Sequence, residues 1–221
     1  MQKFDTPAPI SAVLDIPAGR VRFIAADRAD TTVEVRPADA LSARDVKAAE
    51  QTKAGYGDGV LRIETPAKSR VFGNPGSVEV TVQLPAGSRV EARAASAEFR
   101  TVGRLGDVAF EGSQASIKLD EAASARLTAL DGDVSVGRLA GPAQIRTGRG
   151  DIKIAEAMGG AVVLRTEAGA ISVGAAAGVS ASLDAGTTYG RIHNALKNAE
   201  GTAGLHIHAT TAQGDITARS L

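Results

Sequence analysis

Cysteine and tryptophan are absent from the 221 residues, and aromatic residues make up only 3% of the chain. Without cysteine there is no disulfide frame, no thiol nucleophile and no thiolate zinc site, while reducing and oxidising compartments both stay open. Charge of neither sign is in excess, with 25 basic against 25 acidic residues, so no net field draws the chain to nucleic acid or anionic lipid. No strand-like segment joins basic residues to stacking aromatics, which argues against RNA and single-stranded DNA as partners. No segment approaches the ~18 uninterrupted apolar residues of a membrane span. The opening Met1-Gln2-Lys3-Phe4-Asp5-Thr6-Pro7 has no apolar core of signal-peptide length. The chain as given therefore reads as cytoplasmic, with an exported or surface-associated protein as the alternative if a signal was removed. Serine nucleophile elbows, phosphate-cradling glycine loops and dinucleotide fingerprints are missing too, and no cofactor is expected.

What the chain does have is 43% hydrophobic residues, resting on Ala, Val, Leu and Ile, and 25 glycines with no Gly-X-Y period. Such a composition predicts a thin core, frequent tight turns and internal repeats. Aligning on a large apolar residue that follows a Gly-Asp-like pair gives Phe99, Ile117, Val134, Ile152, Ile171, Ile192 and Ile216, at gaps of 18, 17, 18, 19, 21 and 24. Two residues before each anchor stands a small residue: Ala97, Ala115, Gly132, Gly150, Gly169, Gly190 and Gly214. A second stripe lies seven to nine residues before the anchors, at Ala92, Phe110, Leu127, Ile145, Val163, Leu183 and Ile207. A third lies two earlier, at Val90, Val108, Ala125, Ala143, Ala161, Ala181 and Leu205. Spacing by two puts both stripes on one face of a strand. Two residues past the anchors come Thr101, Leu119, Val136, Ile154, Val173, Asn194 and Ala218, which are mostly apolar. No single coil buries its own inward face, so the pattern predicts an all-β parallel β-solenoid of about seven stacked coils over 86–221.

Residues 1–85 are less regular and form a β-rich capping section. Strands are expected at Val13–Pro17, Val21–Ile24, Thr32–Arg36, Val60–Thr65 and Ser77–Leu84, separated by turns such as Pro17-Ala18-Gly19 and Asn74-Pro75-Gly76. One short helix is expected over Ala40–Thr52, with Leu41, Val46 and Ala49 on its apolar side.

Several of these segments together resemble a bacterial putative-adhesin family, domain of unknown function 4097. They are Gly19-Arg20-Val21, the strand Gly59-Val60-Leu61-Arg62-Ile63, the strand and turn Val80 to Gly87, and coils such as Asp131-Gly132-Asp133-Val134-Ser135-Val136. The resemblance covers nearly the whole chain. It implies a right-handed, single-stranded parallel β-helix and attaches no catalytic residues to the motif.

Four features invite a chemical reading. Arg149-Gly150-Asp151 spells an integrin-binding tripeptide, but its Gly and Asp occupy the turn positions of Gly132-Asp133 and Gly214-Asp215. Asp133, Asp151 and Asp215 share a column, with Asp131 nearby, and stacked carboxylates could serve a polysaccharide lyase or hydrolase. Turn chemistry explains them equally well, and equivalent carboxylates do not give the differently tuned acid and base such an enzyme needs. His193, His206 and His208 could hold zinc, but without a fourth ligand they read as solvated outward residues, and no metal is expected. Two copies of Val-Gly-Arg-Leu place Arg104 and Arg138 at equivalent turns, near Arg126, Arg146 and Arg165, which reads as a mixed-charge solvated face.

The sequence thus favours a non-catalytic binding or scaffold protein, with a carbohydrate-active β-helix enzyme as the alternative. Its partner would be a protein or a glycan. Repeats fail where the last coils lengthen, at Gly186–Tyr189 and between His193 and Gly204, and solenoid insertions often mark the binding side. Tyr189, His193, Asn194, His206 and His208 are therefore the candidate binding residues. The chain stops at Leu221, five residues past the last anchor, so the C-terminal coil is expected to leave an open edge through which copies self-associate.

Overall fold

The computed structural model describes residues 1–66, 76–198 and 202–221, so the turn read at Asn74 and Pro75 and residues 199–201 of the last insertion lie outside it. The chain forms two compact units, Met1–Ala115 and Ser116–Leu221, and the described residues build them from strands and a single helix.

In the first unit the long strand β2 (Ser11–Ala26) is the pivot, and β1 (Gln2–Asp5) precedes it. Pro17-Ala18-Gly19 does not end the strand as expected. Gly19 at φ +144 lets the backbone bend and continue. The buried positions switch there from Ala12, Leu14 and Ile16 to Val21, Phe23 and Ala25, so the bend absorbs a change of parity. β7 (Arg89–Val102) pairs in parallel along the length of β2, from Ser11↔Arg89 to Ile24↔Val102. The other edge of β2 is shared by β5 (Val60–Glu64) and β6 (Val78–Pro85), both parallel to it. β4 (Lys53–Gly57) adds antiparallel to β5, β3 (Asp30–Pro37) antiparallel to β6, and β1 antiparallel to β3. Neither β1, mostly exposed, nor the glycine-broken β4 carries an alternation strong enough to have been read from sequence. The helix α1 (Ala43–Gln51) starts at Ser42, whose hydroxyl accepts from the Asp45 N–H, and it buries Ala48. Leu41 precedes that cap and is 96% exposed, so it does not join the apolar side.

Most of the aromatic content gathers in this unit. Phe99 lies between Phe23 and Phe110, with ring centroids 5.9 and 5.0 Å away at tilted angles. At its border Arg28, by hydrogen bond, and then Lys3 hold the Asp30 carboxyl down at about 2.

In the second unit, strand β8 (Arg104–Thr128), which starts in the first, is followed by β9 (Val134–Leu139), β10 (Ala143–Arg149), β11 (Ile152–Ala157), β12 (Gly160–Ala168) and β13 (Ile171–Ala175). Then come β14 (Ala181–Tyr189), β15 (Ile192–Ala195), β16 (Leu205–Gln213) and β17 (Ile216–Ser220). Every pairing here is parallel, in two ladders. One runs β8–β10–β12–β16–β14 and the other β8–β9–β11–β13–β17–β15. The anchors stack in register as Ile117, Val134, Ile152, Ile171, Ile216 and Ile192.

Two expectations change. On β12 the inward residues are Val162 and Leu164, both 0% exposed, while Ala161 and Val163 face outward. The column that pairs through Leu127, Ile145, Leu164, Ala209 and Ala185 stands seven residues before its anchor in every coil, so the looser seven-to-nine count had slipped β12 by one and turned its faces over. Larger in consequence, the last coils do not stack in chain order. β16 and β17 enter between β12–β13 and β14–β15, so the C-terminal strand is paired on both sides and does not leave the open edge. The connection from 196 to 204 gives the chain length to return. The side chains suit the result: Ile216 and Ala218 are apolar and 1% exposed, whereas the polar Asn194 of β15 fits only a layer with a wet side.

Candidate functional site

Three ladders of side chain and backbone tie the layers of the second unit and lead to its outermost coil, β14–β15. Gly132, Gly150, Gly169 and Gly214 adopt φ between +130 and +156, and a Cβ on Gly150, Gly169 or Gly214 would overlap the carbonyl of the turn glycine one layer below. Gly190 meets Gly214 in the same way. These are the small residues expected before each anchor, and close approach explains them together with the bend.

Beside the glycines runs a threonine column that the sequence reading missed. The hydroxyls of Thr147, Thr166, Thr211 and Thr187 donate to the carbonyls of Gly132, Gly150, Gly169 and Gly214, at 3.2, 3.1, 3.0 and 3.0 Å. A Thr three residues before each of Gly150, Gly169, Gly190 and Gly214 was the signal that could have found it. The aspartate column is the third ladder. Asp133 accepts from the Asp151 N–H at 2.8 Å, Asp151 from the Ala170 N–H at 2.7 Å, and Asp215 from the Arg191 N–H at 2.8 Å. The backbone bond from Arg191, then its guanidinium at 3.0 Å, hold the Asp215 carboxyl below the ordinary carboxylate value. The Arg-Gly-Asp tripeptide is absorbed into this framework, with Arg149 paired to Asp131 at 2.9 Å and Asp151 bonded to the next turn.

The candidate residues all fall on the outer coil or the layer beneath it. Tyr189 ends β14, opposite Gln213, and is 72% exposed. His193 and Asn194 lie on β15 opposite Thr217 and Ala218, both exposed, and Asn194 Oδ1 accepts from the Leu196 N–H. His206 and His208 stand on β16 and face Ser182 and Asp184 of β14: His206 Nδ1 is 2.9 Å from Ser182 Oγ and His208 Nδ1 is 2.9 Å from Asp184 Oδ2. The three imidazoles are thus split between two ladders, and among the described residues no group of three His, Asp or Glu side chains is placed to hold a metal. Of the arginines read as part of a mixed-charge face, Arg146 and Arg165 are register neighbours, Arg126 pairs with Gln144, and Arg138 lies on the other ladder with Glu156.

One residue missed as a site feature is Ile192. Its column partners Ile152, Ile171 and Ile216 are at most 1% exposed, whereas Ile192 is 47% exposed. Among the described residues no strand pairs with the outer edges of β14 and β15, so this coil offers unpaired backbone groups beside an uncovered end of the core. Asn198 Oδ1 takes the N–H of Ala181 at 2.9 Å and caps one corner of it. No helix among the described residues is long and apolar enough to cross a membrane.

The family model described as Toastrack DUF4097 matches residues 13–220. Among solved structures, a putative adhesin from Bacteroides fragilis NCTC 9343 superposes with a TM-score of 0.62 at 12% identity, over 98% of this chain and 95% of that one. A putative adhesin from Parabacteroides distasonis ATCC 8503 gives a TM-score of 0.48 at 12% identity, again over 98% and 95%. At 12% identity the likeness to the Bacteroides fragilis structure is one of fold. No curated protein matches the sequence.

Proposed function

Because the chain belongs to the Toastrack DUF4097 family, we propose that it is a non-catalytic binding or scaffold protein, built as a right-handed, single-stranded parallel β-helix, whose outermost coil β14–β15 receives a polypeptide partner. The carrying observation is the contrast within one column, where Ile216 is buried and Ile192 is half-exposed on an unpaired edge. An incoming strand would satisfy the edge N–H and C=O groups and cover Ile192, with Tyr189 as an aromatic contact at the rim. Adhesion, the role in the name of the Bacteroides fragilis structure, would use such an edge. Self-association is the simplest form of it, relocated from the C-terminal strand to β14–β15.

The same geometry weighs against a carbohydrate-active enzyme. The aspartates that would act as acid and base each give one carboxylate oxygen to a backbone N–H of the neighbouring turn, in equivalent surroundings that do not tune one as acid and another as base. Sedimentation velocity over a wide concentration range, alongside capture of proteins from the native host, tests the proposal. Wild type is expected to associate with itself or with a captured protein, and Ile192→Lys is expected to abolish that association while keeping its fold. A wild type that is monomeric and captures nothing, or a variant that associates equally well, would overturn it.

A further inference from the structure

The first unit carries a groove of about 380 Å³ on the outward face of β3, β6, β2 and β7. Two rows of side chains cross these four strands in register. The first reads Arg36, Glu79, Arg20, Glu98, and its charges alternate. The second reads Glu34, Thr81, Arg22, Arg100, and its charges do not. Arg20 pairs with Glu79, and Arg36 pairs with Glu34 at 2.6 Å. Arg22 and Arg100 are left beside each other on adjacent parallel strands, and neither has an ion pair or hydrogen bond among the described residues.

Like charges directly opposite on neighbouring strands, about 4.8 Å apart, destabilise a sheet. An anion bridging the pair would relieve that repulsion. Each guanidinium is a planar fork, and the three terminal oxygens of a phosphate or sulfate ester point in different directions, so one such group faces two forks more readily than a planar carboxylate does. Four arginines against Glu79 and Glu98 leave the lining with a net charge of +2, which suits one such group rather than a polyanion. The strand backbone at Val21 and Val80 forms the floor between the outward side chains, Thr81 adds a hydroxyl, and the volume admits a ligand of about monosaccharide size.

We propose that the Arg22–Arg100 groove binds a single phosphate or sulfate ester group carried by a small ligand. It is independent of the β14–β15 edge. Isothermal titration at low ionic strength with glucose 6-phosphate, glucose 6-sulfate and glucose, together with co-sedimentation on phosphatidylcholine vesicles containing phosphatidic acid, tests it. Saturable binding of an ester-bearing probe, soluble or on vesicles, is expected, and which probe binds identifies the source of the group. Arg22→Gln and Arg100→Gln should each weaken binding at least about tenfold, as loss of a charge-assisted bond does. Each should leave the thermal midpoint close to that of wild type, since both side chains are exposed. Arg146→Gln, which breaks the register pair Arg146–Arg165, is the control and should bind as wild type. Absence of saturable binding to every ester probe, equal binding of glucose, or equal weakening by Arg146→Gln would overturn the proposal.

Discussion

The coil β16–β17 and the coil β14–β15 are built from the same repeat and differ in where they stand. Both carry an isoleucine anchor, a threonine five residues before it and a turn glycine two before it. In β16–β17 these residues are covered on both sides, and Ile216 and Ala218 are 1% exposed. In β14–β15 the same kinds of residue are covered on one side, leaving Ile192 at 47% and Tyr189 at 72%. Burial in a stacked repeat is set by layer order, and here layer order departs from chain order. β16 and β17 thus complete the interior of the stack, while the coil that precedes them in the chain forms its surface.

The turn glycines should break this comparison most sharply. Gly214→Ala puts a Cβ into the Gly169 carbonyl with layers above and below, and is expected to cost more than about 3 kcal/mol in chemical denaturation. Gly190→Ala meets the Gly214 carbonyl at the outer coil, which can lift away. Hydrogen exchange should then show protection lost from β14–β15 alone. If both variants unfold the unit equally, the outer coil is not an edge layer. The anchors come next: Ile216→Ala is expected to cost about 2–5 kcal/mol and Ile192→Ala about 1 kcal/mol, so equal losses would mean that Ile192 is covered in solution. Smaller again, Thr211→Val strips the Gly169 carbonyl of its hydroxyl partner inside the stack and should cost about 1 kcal/mol, while Thr187→Val at the wetter layer should cost less.

The smallest effect concerns the bond that joins the two layers. Asp215 titrates below its ordinary 3.8 because the Arg191 N–H and guanidinium favour its charged form. A lowered carboxyl gives its stabilisation in full above the ordinary value and loses it as pH falls through the folded value. Wild type should therefore lose stability in that acid window relative to Asp215→Asn, and parallel acid curves for the two proteins would show the bond to be idle.

Much of the site was legible residue by residue and hidden in its arrangement. The anchors, the small residues before them and the aspartate column all appear where the repeat places them, because each layer imposes the same steric and hydrogen-bonding demands on its turn. The threonine column was equally legible at its constant offset from glycine. Tyr189, His193 and Asn194 stand out in the sequence because the repeat falters around them, and the structure places them on the coil whose outer edge has no strand partner among the described residues. The Arg22–Arg100 pair had no sequence signal, since those residues are 78 positions apart and meet only through the β2–β7 register.

By itself, then, the sequence determined the inward stripes, the turn chemistry and the parallel stacking, because periodic burial and backbone crowding act over a few residues and leave a periodic trace. Only the tertiary structure decided which coil is outermost. The six anchors are similar in size, so their spacing names no order of layers; in the structure β16–β17 stands between β12–β13 and β14–β15, and the polar Asn194 falls on the layer where it stays in water rather than being buried.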